Sequence, residues 1–236
     1  MKIQCYLPAG EGKKREFGVL QNTRIINLGL SDEEETSVDI LINFLQDNPS
    51  HLGWRGKNKP DPASVNGRVL IAERFIEGRR EVISPNSPTT VPDTMVSKIM
   101  ELHFGYNSCQ AERIKIEHQH SMSAENIVGG LLEKYIDSEA SQSGWVHCVK
   151  ELVRKVDFIK GKTGAWRLLQ VKNRDNSENS SSSAIRDGTT IEKWFRTYSR
   201  TGKTNWEQFP DIDLKGCLSE KGFEIFVENY FSKLGV

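Results

Sequence analysis

An acid, an amide and an amine stand close together late in the 236-residue chain: Asp157, then Gln170 after twelve intervening residues, then Lys172 two further on. The flanking segments, Val156-Asp157-Phe158-Ile159 and Leu168-Leu169-Gln170-Val171-Lys172, read as strands, and Gly161 and Gly164 between them read as a tight turn. If Gly161–Gly164 closes the hairpin, Lys160 faces Ala165 and Asp157 faces Leu168. Opposite residues share a sheet face, as do positions two apart on one strand. Asp157, Leu168, Gln170 and Lys172 then project from one face, and Val156, Phe158, Leu169 and Val171 from the other. A one-residue slip would separate the acid from the amide and the lysine. A carboxylate and a neutral oxygen suit a hard divalent cation such as Mg²⁺, and a neighbouring lysine suits a phosphoryl oxygen or an attacking water. Together they fit hydrolysis of a phosphodiester.

The elements that must position this trio begin with a helix. Ser123 is read as its cap, and Ile127, Val128, Leu131, Leu132, Tyr135 and Ile136 form an apolar stripe of helical period. Asn126, Gly129, Gly130, Glu133 and Asp137 fall on the other side, where two adjacent glycines suggest a close approach to the backbone. Glu133 is placed to bind metal-bound water or a second ion. After the hairpin comes the polar run Asn173 to Ser183, and then a helix candidate from about Thr189 to Ser199 with Ile191, Trp194, Phe195 and Tyr198. The final helix is the most regular: Phe223, Phe226, Val227, Tyr230, Phe231 and Leu234, between Ser219 as cap and Gly235 as stop. Its stripe suits a core or a dimer contact.

Charge distribution narrows the class of partner. The chain is formally neutral, yet Lys150–Lys203 holds 13 Lys and Arg against 6 Asp and Glu, so the remainder carries the balancing negative excess. One basic segment containing the trio fits a localised polyanion site better than general stickiness. No window is long and apolar enough to span a bilayer, no signal peptide opens the chain, and the four cysteines form no CxxC pair. These features lead us to expect a reduced cytoplasmic protein with free thiols and no membrane partner.

Earlier in the chain, Ile3–Leu7, Phe17–Leu20 and Arg24–Leu28 read as short strands. Val38, Leu41, Ile42 and Leu45 form a helical stripe behind the acids 32–35, which suit the positive end of the helix dipole. Residues 48–66 read as loop, Val69-Leu70-Ile71-Ala72 fits either strand or helix, and Asp93 begins a helix through Met95, Ile99 and Leu102. Gly161-Lys162-Thr163 and Gly202-Lys203-Thr204 lack the first glycine of a P-loop. Cys109, His118 and His120 lack the paired spacing of a zinc site. Trp145, Trp166, Trp194 and Trp206 are expected to pack rather than to stack on bases.

Asp, a dozen residues, then an acid-x-Lys position on a hairpin, preceded by a helix bearing Glu, resembles the PD-(D/E)xK nuclease superfamily. Gln170 stands where most members carry Glu or Asp, and Val156 stands where a proline often precedes the first acid. The block from Leu169 through Arg186, with Lys193-Trp194-Phe195-Arg196 and Thr204-Asn205-Trp206 after it, resembles the SinI/AvaII-type Type II restriction endonucleases across roughly residues 120–210. The resemblance implies an α/β fold with a mixed central sheet flanked by helices as a restriction-endonuclease-like core. Pro88 to Pro92 reads as a boundary, so we expect an N-terminal α/β lobe over 1–90, for dimerisation or DNA embrace, and a nuclease core over 91–236 that contains a recognition segment at 173–206.

The activity it implies is that of a homodimeric, Mg²⁺-dependent Type II endonuclease. Such an enzyme cuts double-stranded DNA at a short palindrome close to GGWCC, leaves 5′-phosphates, and has a cognate DNA methyltransferase as its functional partner. Asp157, Gln170 and Glu133 would hold metal, with Lys172 as the fourth catalytic group. Asn173, Arg174, Asn176, Ser177, Asn179 and Arg186 would contact bases or phosphates, because Asn reads adenine and Arg reads guanine. Arg196, Arg200 and Lys203 would clamp the backbone. A structure- or mismatch-directed nuclease of the same fold and a non-catalytic DNA-binding module are the alternatives.

Overall fold

The computed structural model describes residues 28–54, 57–84, 93–175 and 190–235. Two compact units result: one runs up to Glu81 and resumes at Glu133, and the other is Val82–Leu132. The strand candidates between residues 3 and 27 lie outside the described residues.

In the first unit, helix α1 (Asp32–Asp47) starts with a reciprocal cap. The Glu34 N–H donates to Ser31 Oγ at 3.2 Å, and the Ser31 N–H donates to the Glu34 carboxylate at 3.0 Å. Its stripe Val38, Leu41, Ile42 and Leu45 is fully buried. Helix α2 (Val65–Arg80) is capped by Ser64 and settles the ambiguous run Val69–Ala72 as helix, with Ile71, Ala72 and Phe75 buried. Against these two helices lies a four-stranded sheet in the order β1 (Trp145–His147), β2 (Phe158–Lys162), β3 (Ala165–Arg174), β4 (Ile191–Thr197). The first three strands are antiparallel, and β4 runs parallel to β3. The sheet is therefore mixed, as expected. Val146, Ile159 and Leu168 from the strands share one core with the apolar faces of α1 and α2. Residues 28–81 thus belong to the same compact unit as the sheet.

The hairpin closes two residues later in β3 than the glycine spacing suggested. Lys160 pairs with Arg167 and Phe158 with Leu169, and the turn sits at Thr163-Gly164. A shift of two preserves the alternation, so the assignment of side chains to faces survives. Gly161 adopts φ 131° inside the strand pair, and a Cβ there would meet the Ala165 carbonyl oxygen at 2.2 Å, so only glycine fits.

Residues 191–197 are a strand, not the expected helix. Ile191, Trp194, Phe195 and Tyr198 happen to fit a 3.6 period, but the segment is rich in aromatic and β-branched residues and hydrogen-bonds to the free edge of β3. Trp194 is buried against Trp206 and Phe209, with ring centroids 5.0 and 5.1 Å away. Trp145 and Trp206 are also buried, and Trp166 packs edge-on against Phe44.

Helix α5 (Glu220–Leu234) has the expected caps, Ser219 and a left-handed Gly235. Its first turn docks on Tyr135, whose hydroxyl accepts from the Ser219 N–H at 3.1 Å and whose ring lies 5.6 Å from that of Phe223. Phe223 is the buried member of the apolar stripe, and the stripe is increasingly exposed toward Leu234.

The second unit contains α3 (Thr94–Phe104) and the first part of α4 (Ser108–Ala140). Asp93 caps α3 through the Met95 N–H at 2.9 Å. Ser123 does not begin a helix. Asn107 and Gln110 cap each other's backbone N–H groups at 2.9–3.0 Å, and α4 continues unbroken past Ser123. Gly130 is where a side chain does approach the helix, because a Cβ there would lie 2.7 Å from Ile83 Cδ1. Cys109 and Cys148 are free thiols as expected, whereas Cys217 is disulfide-bonded. No described helix is long and apolar enough to cross a membrane.

Candidate active site

The site belongs wholly to the first unit and is built on backbone hydrogen bonds around Asp157. The Asp157 N–H donates to the Leu169 carbonyl at 2.9 Å, and its own carbonyl accepts from the Cys148 N–H at 2.8 Å. Asp157 is thereby fixed between β1 and β3, and the β2–β3 register continued by one step sets it beside Gln170. One carboxylate oxygen, Oδ2, accepts from the Val171 N–H at 2.7 Å, which sets the rotamer. Gln170, two residues from Lys172 on β3, is 7% exposed, and its Oε1 is buried with no hydrogen-bond partner. Lys172 is half-buried and makes no hydrogen bond or ion pair among the described residues. From α4, Glu133 holds the Nε2 of His147 at 3.0 Å through Oε2. A cavity of about 660 Å³ is lined by Glu133, Asp157, Gln170 and Lys172 together.

Within this cavity the Asp157 carboxylate is under-compensated where it is buried. Burial and the nearby charge of Glu133 push the Asp157 carboxyl up from 3.8 to about 6, against the pull of the Val171 N–H, Lys172 and His147. Cys148 beneath it is fully buried, and burial raises its thiol far above the ordinary range. A buried amide oxygen without a donor and an under-compensated carboxylate are the two features a bound cation would relieve. The donor set, two carboxylates and an amide carbonyl with room for water, is all oxygen and suits Mg²⁺. Among the described residues no three His, Cys, Asp or Glu side chains converge, and Cys109, His118 and His120 form no such set.

Other sequence-derived candidates are placed less centrally. Arg196 donates to Asn173 Oδ1 at 2.9 Å, pairs with Glu220 and lies over the Phe223 ring at 5.2 Å, so it ties β4 to β3 and α5. Arg174, Arg200 and Lys203 are exposed. Asn176, Ser177, Asn179 and Arg186 lie outside the described residues.

His147 escaped the sequence reading. It stacks on Phe158 at 4.9 Å and is 8% exposed, but β1 is three residues long and offers no spacing that ties it to Glu133. Lys150, Arg154, Lys155 and Arg74 also line the cavity. Their only sequence signal was membership of the basic segment, and Arg74 lies outside even that.

A mixed α/β sheet that presents Asp157, Gln170 and Lys172 on one face, with a glutamate supplied by an adjoining helix, has the architecture of the restriction-endonuclease-like fold. Sequence comparison narrows this class. Residues 25–233 match the family model described as SinI restriction endonuclease, and the chain belongs to that family. It is 44% identical over 208 residues to the Type II restriction enzyme Eco47I of Escherichia coli, covering 87% of this chain and 90% of the relative. It is 48% identical over 166 residues to the Type II restriction enzyme SinI of Salmonella infantis, covering 70% and 72% respectively.

Proposed function

We propose that this restriction endonuclease hydrolyses phosphodiester bonds of double-stranded DNA at a short palindrome close to GGWCC, with Mg²⁺ as its metal and 5′-phosphate ends as products. The observation that carries the reading is the unpartnered Gln170 Oε1 beside Asp157, on the face that also bears Lys172. Asp157 and Gln170 would hold the ion, and Glu133 would hold its water or a second ion. Held there, Mg²⁺ would supply charge neutralisation at the phosphoryl oxygens and a more nucleophilic water.

The protein's own groups do the rest. Lys172 orients the attacking water and stabilises charge on the phosphoryl group. The Val171 N–H keeps Asp157 in one rotamer, so no reorganisation is needed when DNA arrives. Water attacks phosphorus, the bond to the 3′ oxygen breaks, and that oxygen leaves with a proton.

Asn173, Arg174, Asn176, Ser177, Asn179 and Arg186 are assigned to recognition, and Arg200 and Lys203 to the phosphate backbone, with Arg196 acting through Asn173. Residues 1–90 are assigned to DNA embrace or dimerisation beside the nuclease core of 91–236, and α1 and α2 of that segment also complete the apolar core beneath the sheet. A homodimer fits a palindromic site. It is supported by apolar side chains left in solvent on α3, where Ile99 is 57% and Leu102 76% exposed. The enzyme would work in the cytoplasm beside a methyltransferase that protects the same sequence. Incubating plasmid with the protein and Mg²⁺ and sequencing the ends tests this reading. Discrete fragments with 5′-phosphates at one palindrome are expected, and a smear or ends of unrelated sequence would refute it.

A further inference from the structure

One wall of the cavity has no role in the chemistry above. It is the loop 148–156, which leads into Asp157, together with Arg74 of α2. Arg74, Lys150, Arg154 and Lys155 join Lys172 around the cavity, against three carboxylates, Glu133, Glu151 and Asp157. Lys150 is neutralised from behind by Glu77 at 2.9 Å and Glu81 at 3.8 Å. Arg154 and Lys155 are exposed and make no ion pair among the described residues. Arg74 lies over the Trp54 ring at 5.0 Å, and its buried Nε has no hydrogen-bond partner. Three cations facing one cavity without acids of their own call for an anionic ligand.

The loop is held rigid although its backbone is strained. Lys150, Glu151 and Lys155 have φ of 51°, 56° and 62°, in the left-handed region that side-chain-bearing residues avoid. Packing against the segment 51–54 enforces this. The Gly53 N–H donates to the Leu152 carbonyl at 2.9 Å, and the Arg154 N–H to the His51 carbonyl at 2.8 Å. A Cβ on Gly53 would sit 1.9 Å from the Glu151 carbonyl oxygen, so the approach requires glycine. Lys155 is two residues from Asp157, at most about 7 Å along the backbone. Its ammonium can therefore reach a phosphate next to the one held over Asp157.

We propose that Arg74, Arg154 and Lys155 form a preorganised cradle for the DNA backbone, binding phosphates that flank the scissile one independently of base sequence. This rests on the nuclease reading for its ligand. Glycine would suit the φ of 62° at position 155 better for folding, whereas lysine places a charge there.

The full-length protein, bound to a duplex carrying the palindrome and to an unrelated duplex in EDTA, tests the cradle through the salt dependence of affinity. Arg154→Gln and Lys155→Gly should each flatten the slope of log Kobs against log[salt] by about 1, equally on both duplexes. Lys155→Gly should also raise the unfolding temperature by about 2–4 °C, because it relieves the strained φ while removing the contact. Lys221→Gln, on exposed α5, should leave the slope unchanged.

Unchanged slopes for Arg154→Gln and Lys155→Gly in a protein that still cuts would overturn the cradle alone, as would an equal effect of Lys221→Gln. Flattened slopes in a protein that cuts no plasmid would keep the cradle and reject the nuclease reading. A wild-type protein that binds neither duplex overturns both.

Discussion

Replacing Asp157 with Asn separates stability from function at the centre of the site. Burial and the charge of Glu133 raise this carboxyl from 3.8 to about 6 in the folded protein. The folded state therefore binds the proton more tightly than the unfolded chain does. Without metal, wild-type stability falls as pH rises through roughly 4 to 6, and it stays reduced above that window. A shift of about two units corresponds to about 3 kcal/mol at most, and water entering the cavity reduces this toward 1 kcal/mol. Asp157→Asn removes the charge and keeps an oxygen for the Val171 N–H. Urea unfolding in EDTA should find the variant more stable than wild type by about 1–3 kcal/mol above about pH 7, with the gap closing near pH 4. Millimolar Mg²⁺ should stabilise the wild type and not the variant. A variant less stable than wild type above pH 7, or a gap independent of pH, would refute the assignment of Asp157 as a strained, cation-seeking carboxylate.

Three further outcomes follow from the packing. Gly53→Ala pushes a methyl against the Glu151 carbonyl and should cost about 2–4 kcal/mol in urea unfolding, because backbone must move. His147→Ala leaves Glu133 unheld and should raise the Mg²⁺ concentration for half-maximal cleavage about 10-fold, with partial rescue by His147→Gln. Asp211 is raised by its burial but held below the ordinary carboxylate range by Lys160 at 2.6 Å, the Asp213 N–H and the Trp145 indole N–H at 2.7 Å. Its contribution is present at neutral pH and is lost as pH falls below about 4. Asp211→Ala, which leaves the indole N–H unpaired and Lys160 with only the longer contact to Asp213 at 3.7 Å, should cost about 2–4 kcal/mol at neutral pH by the same unfolding measurement.

The part of the site legible in sequence is the part governed by alternation. Asp157, Gln170 and Lys172 share a face under either hairpin register, so a two-residue error in the turn did no harm. Local period misled at residues 191–197, where aromatic spacing imitated a helix and only the open edge of β3 decides for strand. Ser123 looked like a cap because Ser favours that position, yet nothing before it ends the helix that Asn107 begins. His147, Arg74 and the 150–155 wall depend on contacts between segments distant in sequence. Gly53, separated from Glu151 by nearly a hundred positions, carries no local signal for the approach it permits.

The central claim is that Asp157, Gln170 and Lys172 act as one metal-dependent cutting site. Single-turnover cleavage of plasmid in Mg²⁺ by wild type, Asp157→Asn, Gln170→Ala and Lys172→Ala, each folded by circular dichroism, measures it directly. All three variants should lose at least about 100-fold in rate, and EDTA should abolish wild-type cleavage. Wild-type rates in any one variant, or cutting that persists in EDTA, would contradict it.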